Sequence, residues 1–380
     1  MKHRCRFQLL AVLSTLVLLL ICETVAWAGN LFTGPVNSSA GKYPWGLAVG
    51  DFNHDGRLDV ATTNMCQRDV PCQVKVLQGN GNGTFQTPVG FDVGIVPYSV
   101  AVGDFNGDGS IDLVVVNAGT GVGVLLGNGD GSFQKQVTYK AGRSPFGVAV
   151  SDFNGDGKLD LAVTRETQRG FMSVLLGNGD GTFQPKIKVQ AGHHPFHIVV
   201  GDLNGDGIPD IVVAPNEPKY ATTALLGNGD GTFRIAWTID NRTAPYEIAL
   251  GDFNGDGKLD LAETYYQIAR LTVRYGNGDG TFRDGPHYTV GRNPGLIAIA
   301  DFDGDGKLDI AVADYGGDNV TVLLGRGDGT FLPEGSYKLK LGARAIRIVA
   351  ADVNNDGRPD LVVTDNGNHV VSVFLNTGKK

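Results

Sequence analysis

An acidic nonapeptide of the form D-x-[ND]-x-D-G-x-x-D returns seven times in this chain, roughly every fifty residues. The copies begin at Asp51, Asp104, Asp152, Asp202, Asp252, Asp301 and Asp352. Length alone would divide 380 residues into two or three domains. The repeat overrides that division, because one unit is too small to bury a core without its neighbours.

The third unit shows the build. Pro145 to Val150 is a short apolar strand, the acidic loop Asp152 to Asp160 follows, and Leu161 to Thr164 is a second strand. Ser173 to Leu176 is a third, and a fourth follows Phe183 after a glycine turn, Gly177-Asn178-Gly179-Asp180-Gly181. β-branched and leucine runs punctuated by Gly and Asn are strand and turn signals. The mature chain has no sustained helical periodicity. The glycine turn also recurs, before Phe85, Phe133, Phe183, Phe233, Phe282 and Phe331. Four antiparallel strands per unit, repeated radially, is the β-propeller design.

The ends complement each other. The seventh unit stops after Phe374-Leu375-Asn376 without a fourth strand, and Asn30 to Val36 resembles the fourth strand Thr84 to Val89. The expectation is an all-β, seven-bladed β-propeller of four-stranded antiparallel blades, its ring closed by the N-terminal strand pairing in the last blade. A linear solenoid with independent caps is the alternative, and it would leave both edges open.

The acidic loops suggest a metal. Position 1 is Asp51, Asp104, Asp152, Asp202, Asp252, Asp301 or Asp352. Position 3 is Asn53, Asn106, Asn154, Asn204, Asn254, Asp303 or Asn354. Position 5 is Asp55, Asp108, Asp156, Asp206, Asp256, Asp305 or Asp356. Position 9 is Asp59, Asp112, Asp160, Asp210, Asp260, Asp309 or Asp360. Position 7 offers a backbone carbonyl, from Arg57, Ser110, Lys158, Ile208, Lys258, Lys307 or Arg358. Oxygen donors in a flexible loop suit Ca²⁺ better than Mg²⁺. Position 12 carries no glutamate (it is Val115 in the second loop), so these are not EF-hands. Plain Asx turns without metal are the alternative. Against it, the loops hold 22 carboxylates, and like charges gathered so closely need a counter-charge. Up to seven structural Ca²⁺ ions are expected. His54 and Asn355 stand at position 4, where the other five loops have Gly, so the first and last loops are expected to differ.

Net charge is −8, with no basic stripe, which argues against a nucleic-acid partner. Lys2, Arg4 and Arg6 precede an apolar run, Leu9 to Ile21, and Ala26-Trp27-Ala28 is an A-x-A cleavage site. Residues 1–28 read as a signal peptide and 29–380 as one propeller, secreted to the extracellular space, periplasm or cell surface. The run is 13 residues long, against about 20 for a spanning helix, so no transmembrane span is expected in the mature chain. An uncleaved anchor is the other reading. The mature chain retains two cysteines, Cys66 and Cys72. In an oxidising compartment their disulfide is expected.

The motif Gly103-Asp104-Phe105-Asn106-Gly107-Asp108-Gly109 and its six counterparts resemble FG-GAP/VCBS repeats, over nearly all of residues 29–380. That family includes the propeller of integrin α chains and many secreted bacterial proteins. The resemblance implies calcium in the loop joining strands 1 and 2. It implies no single activity, since family members serve adhesion, sugar binding and as accessory domains of enzymes.

A meander places the acidic and glycine loops on one face and the variable loops on the other. Candidate ligand-binding residues on the variable face are Trp45, Tyr98, Arg143, His193, His194, Arg242, Tyr246, Arg292 and Arg344. Aromatic and arginine side chains on a rigid rim suit a glycan or an extracellular or envelope protein. The Pro-aromatic pairs recur at one register and equally suit plugs of the blade tops. His193, His194 and His197 form the one histidine cluster, read mainly as surface decoration. Arg326-Gly327-Asp328 falls inside a glycine turn and reads as turn variation rather than as an adhesion motif. The leading expectation is a calcium-binding adhesion or binding module with no catalytic residues, for which a monomer is compatible. Its rivals are a polysaccharide lyase or hydrolase, with Glu217 and Glu263 or Glu247 near Arg347 as candidate groups, and a structural envelope component.

Overall fold

The computed structural model describes residues 31–378 except 66–71, 169, 216, 218–219, 241–242 and 244. The expected signal peptide, Cys66 and Arg242 lie outside the described residues.

Seven four-stranded antiparallel sheets form the ring. The innermost strands are Pro44–Gly50, Pro97–Gly103, Pro145–Ser151, Pro195–Gly201, Glu247–Gly251, Pro294–Ala300 and Ala345–Ala351, and each touches the next around the axis. Every second strand begins at the ninth residue of an acidic loop, from Asp59–Asn64 in blade 1 to Asp360–Asp365 in blade 7. These second strands are almost wholly buried. Among the described residues the only helical segment is one 3₁₀ turn, Tyr266–Ile268, and no helix is long and apolar enough to cross a membrane.

The last blade closes as its ends imply. Phe32–Ser39 pairs antiparallel with Val370–Asn376, with Phe32 opposite Asn376 and Ser39 opposite Val370. The first and last described strands thus share one sheet, and the ring has no open seam.

The fourth strands differ from expectation in three blades. In blades 4 to 6 the strand starts at the turn's phenylalanine, as in Phe282–Thr289. In blades 1 and 3 that phenylalanine makes only an isolated bridge, Gly79 with Phe85 and Gly177 with Phe183. Pro88 and Pro185 follow in these two blades, whereas Pro286 and Pro333 lie within the longer strands of blades 5 and 6. The strands resume at Val89 and Ile187. Blade 2 pauses at the same place without a proline.

The core is a ring of inter-blade sandwiches. Between blades 1 and 2, Phe52, Ala61 and Val74 pack on Val100, Leu113, Leu125 and Phe133. Six further clusters repeat this around the ring. The aromatic pairs at five of the seven seams follow from the repeat: position 2 of one acidic loop meets the phenylalanine after the next blade's glycine turn, as in Phe52–Phe133 and Phe105–Phe183, whereas Leu203 and Val353 hold position 2 at the other two. At the last seam Phe32 of the N-terminal strand takes that phenylalanine's place against Phe302, 5.4 Å away.

Candidate functional site

The acidic loops are organised by their own carboxylates. In the second loop, Asp104 accepts hydrogen bonds from the backbone N–H groups of Gly107 (2.7 Å), Asp108 (3.2 Å) and Gly109 (2.9 Å). Asn106 Oδ1 accepts the Asp108 N–H and Asp108 accepts that of Ser110. Gly109 has φ +85, a left-handed conformation that most side chains resist, which accounts for glycine at position 6. His54 and Asn355 also take left-handed φ at position 4, and Asn355 Nδ2 donates to Gly56 O of the first loop at 3.1 Å.

The ninth aspartate is fully buried in every loop. Its Oδ2 accepts the N–H of loop position 2, as in Phe105 to Asp112 at 2.8 Å, and its Oδ1 accepts the first N–H of the glycine turn, as in Gly127 to Asp112 at 2.8 Å. All seven blades repeat both bonds. In blade 7, which has no glycine turn, the Asn376 N–H makes the second bond. Burial, reinforced by the neighbouring aspartates, pushes Asp260 and Asp360 up to about 6, and burial with Asp303 nearby does the same for Asp309.

These residues fit a hard cation. Every side-chain donor is oxygen, and Asp301, Asp303 and Asp309 each present a carboxylate oxygen within 4.8 Å of the others. Each oxygen of a ninth aspartate accepts one N–H and keeps a second lone pair. Crowded, half-desolvated carboxylates are the setting in which a divalent ion restores charge balance. The position 5 carboxylates face other partners. Asn106 donates to Asp108, and Lys158, Lys307 and Arg358 pair with Asp156, Asp305 and Asp356. A cation would be held by positions 1, 3, 5 and 9 together with the carbonyl at 7, and it would supply charge compensation.

A second ring of bonds joins the blades on this face. The position 2 carbonyl of each acidic loop accepts an N–H from the next blade's glycine turn: Gly131 to Phe52, Gly181 to Phe105, Gly231 to Phe153, Gly280 to Leu203, Gly329 to Phe253 and Gly83 to Val353. The seventh link, to Phe302, comes from the Asn376 side chain at 2.7 Å. Arg326-Gly327-Asp328 is part of this turn system. Gly327 has φ +74, and Asp328 accepts bonds from the Thr330 backbone and hydroxyl.

The variable face carries a continuous aromatic arc near the axis. Trp45 meets Tyr98 (5.7 Å between ring centroids), Tyr98 meets Phe146 (4.8 Å), and Phe146 stacks on Phe196 (3.5 Å). Phe196 meets His197 (4.7 Å) and His197 meets Tyr246 (5.5 Å). Tyr246 continues to Tyr266 (5.4 Å) and Tyr266 to Tyr315 (6.1 Å). Trp45, Tyr98 and Tyr246 are thus brought together, each half-buried, while Arg143, Arg292 and Arg344 stand exposed on the rim. His193 and His194 sit apart from the arc, flanking Tyr220 with near-parallel rings.

His197 departs from the surface role expected of it. It lies on an innermost strand, buried, and its Nδ1 donates to Glu247 Oε2 at 2.8 Å. Arg347 Nη1 approaches the same oxygen at 3.7 Å. Burial opposes charge on Glu247, but His197 and then Arg347 overcome it and hold the carboxyl below its ordinary value. His197 Nε2 is buried with no hydrogen-bond partner within the protein. The pairing of Glu217 with Glu263 is not what the structure builds. Glu263 is buried against Arg274, Tyr265 and Thr222, whereas Glu217 lies 3.6 Å from His194. One signal for the His197 group was available in the sequence, since His197, Glu247 and Arg347 occupy the same register, two residues after Pro195, Pro245 and Ala345.

Comparison with known proteins agrees with this architecture. The FG-GAP-like repeat model matches residues 69–115, 104–163, 152–213, 205–263, 265–312 and 301–363, and the FG-GAP repeat model matches 43–65. No curated protein matches the chain. Among solved structures, BBS1N in complex with ARL6DN is 12% identical, with a TM-score of 0.64 over 91% of this chain and 97% of that one. The periplasmic gluconolactonase of Pseudomonas aeruginosa is 16% identical, TM-score 0.57, covering 76% and 84%. Virginiamycin B lyase from Staphylococcus aureus is 12% identical, TM-score 0.58, covering 90% and 99%. At such identities the likeness is one of fold. The family-model matches span most of the ring, and the chain belongs to the FG-GAP repeat family.

Proposed function

We propose that this protein is an exported, calcium-stabilised binding propeller that recognises a glycan or a protein through its variable face. The division of labour between the two faces carries the reading. One face repeats the same acidic and glycine loops in a bonded ring, as a scaffold requires. The other gathers aromatic rings and exposed arginines whose identities change from blade to blade. In an oxidising compartment buried Cys72 would be joined to Cys66.

The test is a broad glycan array and a pull-down from envelope extracts, each with Ca²⁺ and with chelator. Defined binding is expected, and changing Arg143 and Arg292 together to alanine should weaken it at least tenfold with the melting temperature unchanged. Full binding by that double variant would remove the arginine rim from the site.

An enzymatic role, as a polysaccharide lyase or hydrolase, is the second reading. What favours it is the His197–Glu247 pair, since an imidazole oriented by a carboxylate with its other nitrogen unpartnered is a usual acid–base arrangement. Product release from polysaccharides by the purified protein, lost in His197→Ala, would establish it. Sustained absence of product across substrates would exclude it.

A further inference from the structure

The aromatic arc is incomplete, and its gap lies beside the group formed by His197, Glu247 and Arg347. One residue after the proline (or Ala345) that opens each innermost strand, the blades carry Trp45, Tyr98, Phe146, Phe196 and Tyr246, and then Gly295 and Ile346. A Cβ at Gly295 would meet only two backbone carbonyls, Ala313 O at 3.1 Å and Ala345 O at 3.7 Å. Blade 6 therefore contributes no side chain where five other blades contribute a ring. Arg347 belongs to the next blade and reaches Glu247 of blade 5 past this gap. Tyr246, Tyr266 and Tyr315 continue the arc beside it.

The loops leading into the innermost strands are basic, although the loops between second and third strands on the same face add Glu166, Glu217 and Asp318 beside them. Among the described residues, the loops leading into the innermost strands carry Lys42, Lys140, Arg143, Arg292, Lys340 and Arg344, and no aspartate or glutamate. This occurs in a chain of net charge −8, whose acidic loops all lie on the opposite face. A cationic rim around a low-dielectric mouth concentrates anions there. Glu247 and Arg347 offset each other's charge, so the attraction rests on the exposed arginines Arg143, Arg292 and Arg344, while Arg347 adds directed donors.

We infer that the notch between blades 5, 6 and 7 is a binding subsite for an acidic sugar unit. The sugar carboxylate would be met by Arg347 and the rim arginine Arg292, and the sugar ring would stack on Tyr266 and Tyr315. This rests on the binding-propeller reading above and narrows its ligand to a uronate-bearing glycan. The chemistry of each partner supports the choice. A guanidinium offers planar donor pairs to a carboxylate. A tyrosine presents an apolar face to the C–H side of a pyranose and a hydroxyl to its edge. Tyr246 is less suited to the stacking role: burial, against the opposing pull of Arg347, pushes its phenol up to about 12, as expected of a floor residue rather than a wall. His197, tied to Glu247, keeps the Glu247 carboxylate charged and so holds Arg347 in place.

The experiment is calorimetric titration of the whole protein, in Ca²⁺, with oligomers of galacturonate, of mannuronate and guluronate, and of glucuronate-containing disaccharides. Each is compared with its carboxyl-reduced, neutral counterpart. At least one acidic series should bind tenfold or more tightly than its neutral counterpart, with affinity falling as salt rises. Tyr266→Ala and Tyr315→Ala, at half-buried positions, should each weaken it about tenfold without changing the melting temperature. Arg347→Lys should abolish the preference for the acidic form, its melting curve showing that the ring is intact. Equal affinity for acidic and neutral oligomers, binding untouched by either tyrosine change, or capture of polyglutamate in place of every uronate would each overturn the inference. The binding-propeller reading would survive these results if the Arg143 and Arg292 double variant still lost a neutral glycan or protein ligand. Absence of any ligand would overturn both.

Discussion

At the residue scale, the decisive groups are aspartates placed where charge is costly. The ninth aspartate of each loop is buried, and its two oxygens tie the loop start to the glycine turn of the same blade, or in blade 7 to Asn376. Asp314 shows the same physics outside the loops. It is fully buried, with Oδ2 accepting from Asn319 (2.6 Å) and Thr321 (2.7 Å), and burial pushes it up to about 7 from 3.8. An acid whose folded pKa is raised binds its proton more tightly folded than unfolded. Its contribution is therefore present below about pH 4 and is lost as pH rises towards 7. At about 1.4 kcal/mol per unit, the loss is of order 4 kcal/mol for this group. Asp314→Asn keeps the acceptor and removes the charge, so it should raise the melting temperature at pH 8 and leave it nearly unchanged at pH 4. Scanning calorimetry at the two pH values checks this, and a variant no more stable than the wild type at pH 8 would contradict it.

At the element scale, closure depends on two pieces at opposite ends of the chain. The N-terminal strand Phe32–Ser39 brings Phe32 to the seam that lacks a glycine-turn phenylalanine, and Asn376 replaces the glycine-turn N–H in the seventh inter-blade link. Asn376 also donates to Pro359 O at 3.1 Å, and it is almost completely buried. Asn376→Ala strands the buried Phe302 carbonyl and the part-buried Pro359 carbonyl, so a loss of about 1–3 kcal/mol is expected, read by urea denaturation. Removing residues 31–39 exposes the edge of Val370–Asn376. Such an edge pairs with other chains, and a shift from a discrete species to larger aggregates is the expected result by light scattering. The fourth strands teach a smaller lesson. The strand starts at the turn's phenylalanine in blades 4 to 6, although Pro286 and Pro333 lie within two of these strands, and it starts later, at Val89 and Ile187, in blades 1 and 3.

At the scale of the whole molecule, seven acidic loops occupy one face and each is bonded to the next blade through its second residue. Metal occupancy of the loops would therefore act on every seam at once. At calcium concentrations about a hundredfold above Kd, each occupied site contributes about 2.7 kcal/mol. Chelation should then lower the melting temperature by at least about 10 °C, and an unchanged melt of demonstrably metal-free protein would defeat the structural role of calcium. Read along the chain, the repeat by itself determined the blade count, the order of strands, the face shared by the two loop families and the closure by complementary ends. These follow from local periodicity and from turn residues whose backbone needs are met within one unit. Only the tertiary structure decided which variable side chains meet. His197, Glu247 and Arg347 come from blades 4, 5 and 7, and it is the curvature of the ring that brings their common register to the axis. The same curvature leaves His193 and His194 beside Tyr220 and away from that group, although His194 is only three residues from His197. Contacts across a closed ring depend on radius and twist accumulated over all the blades, and no single repeat encodes them.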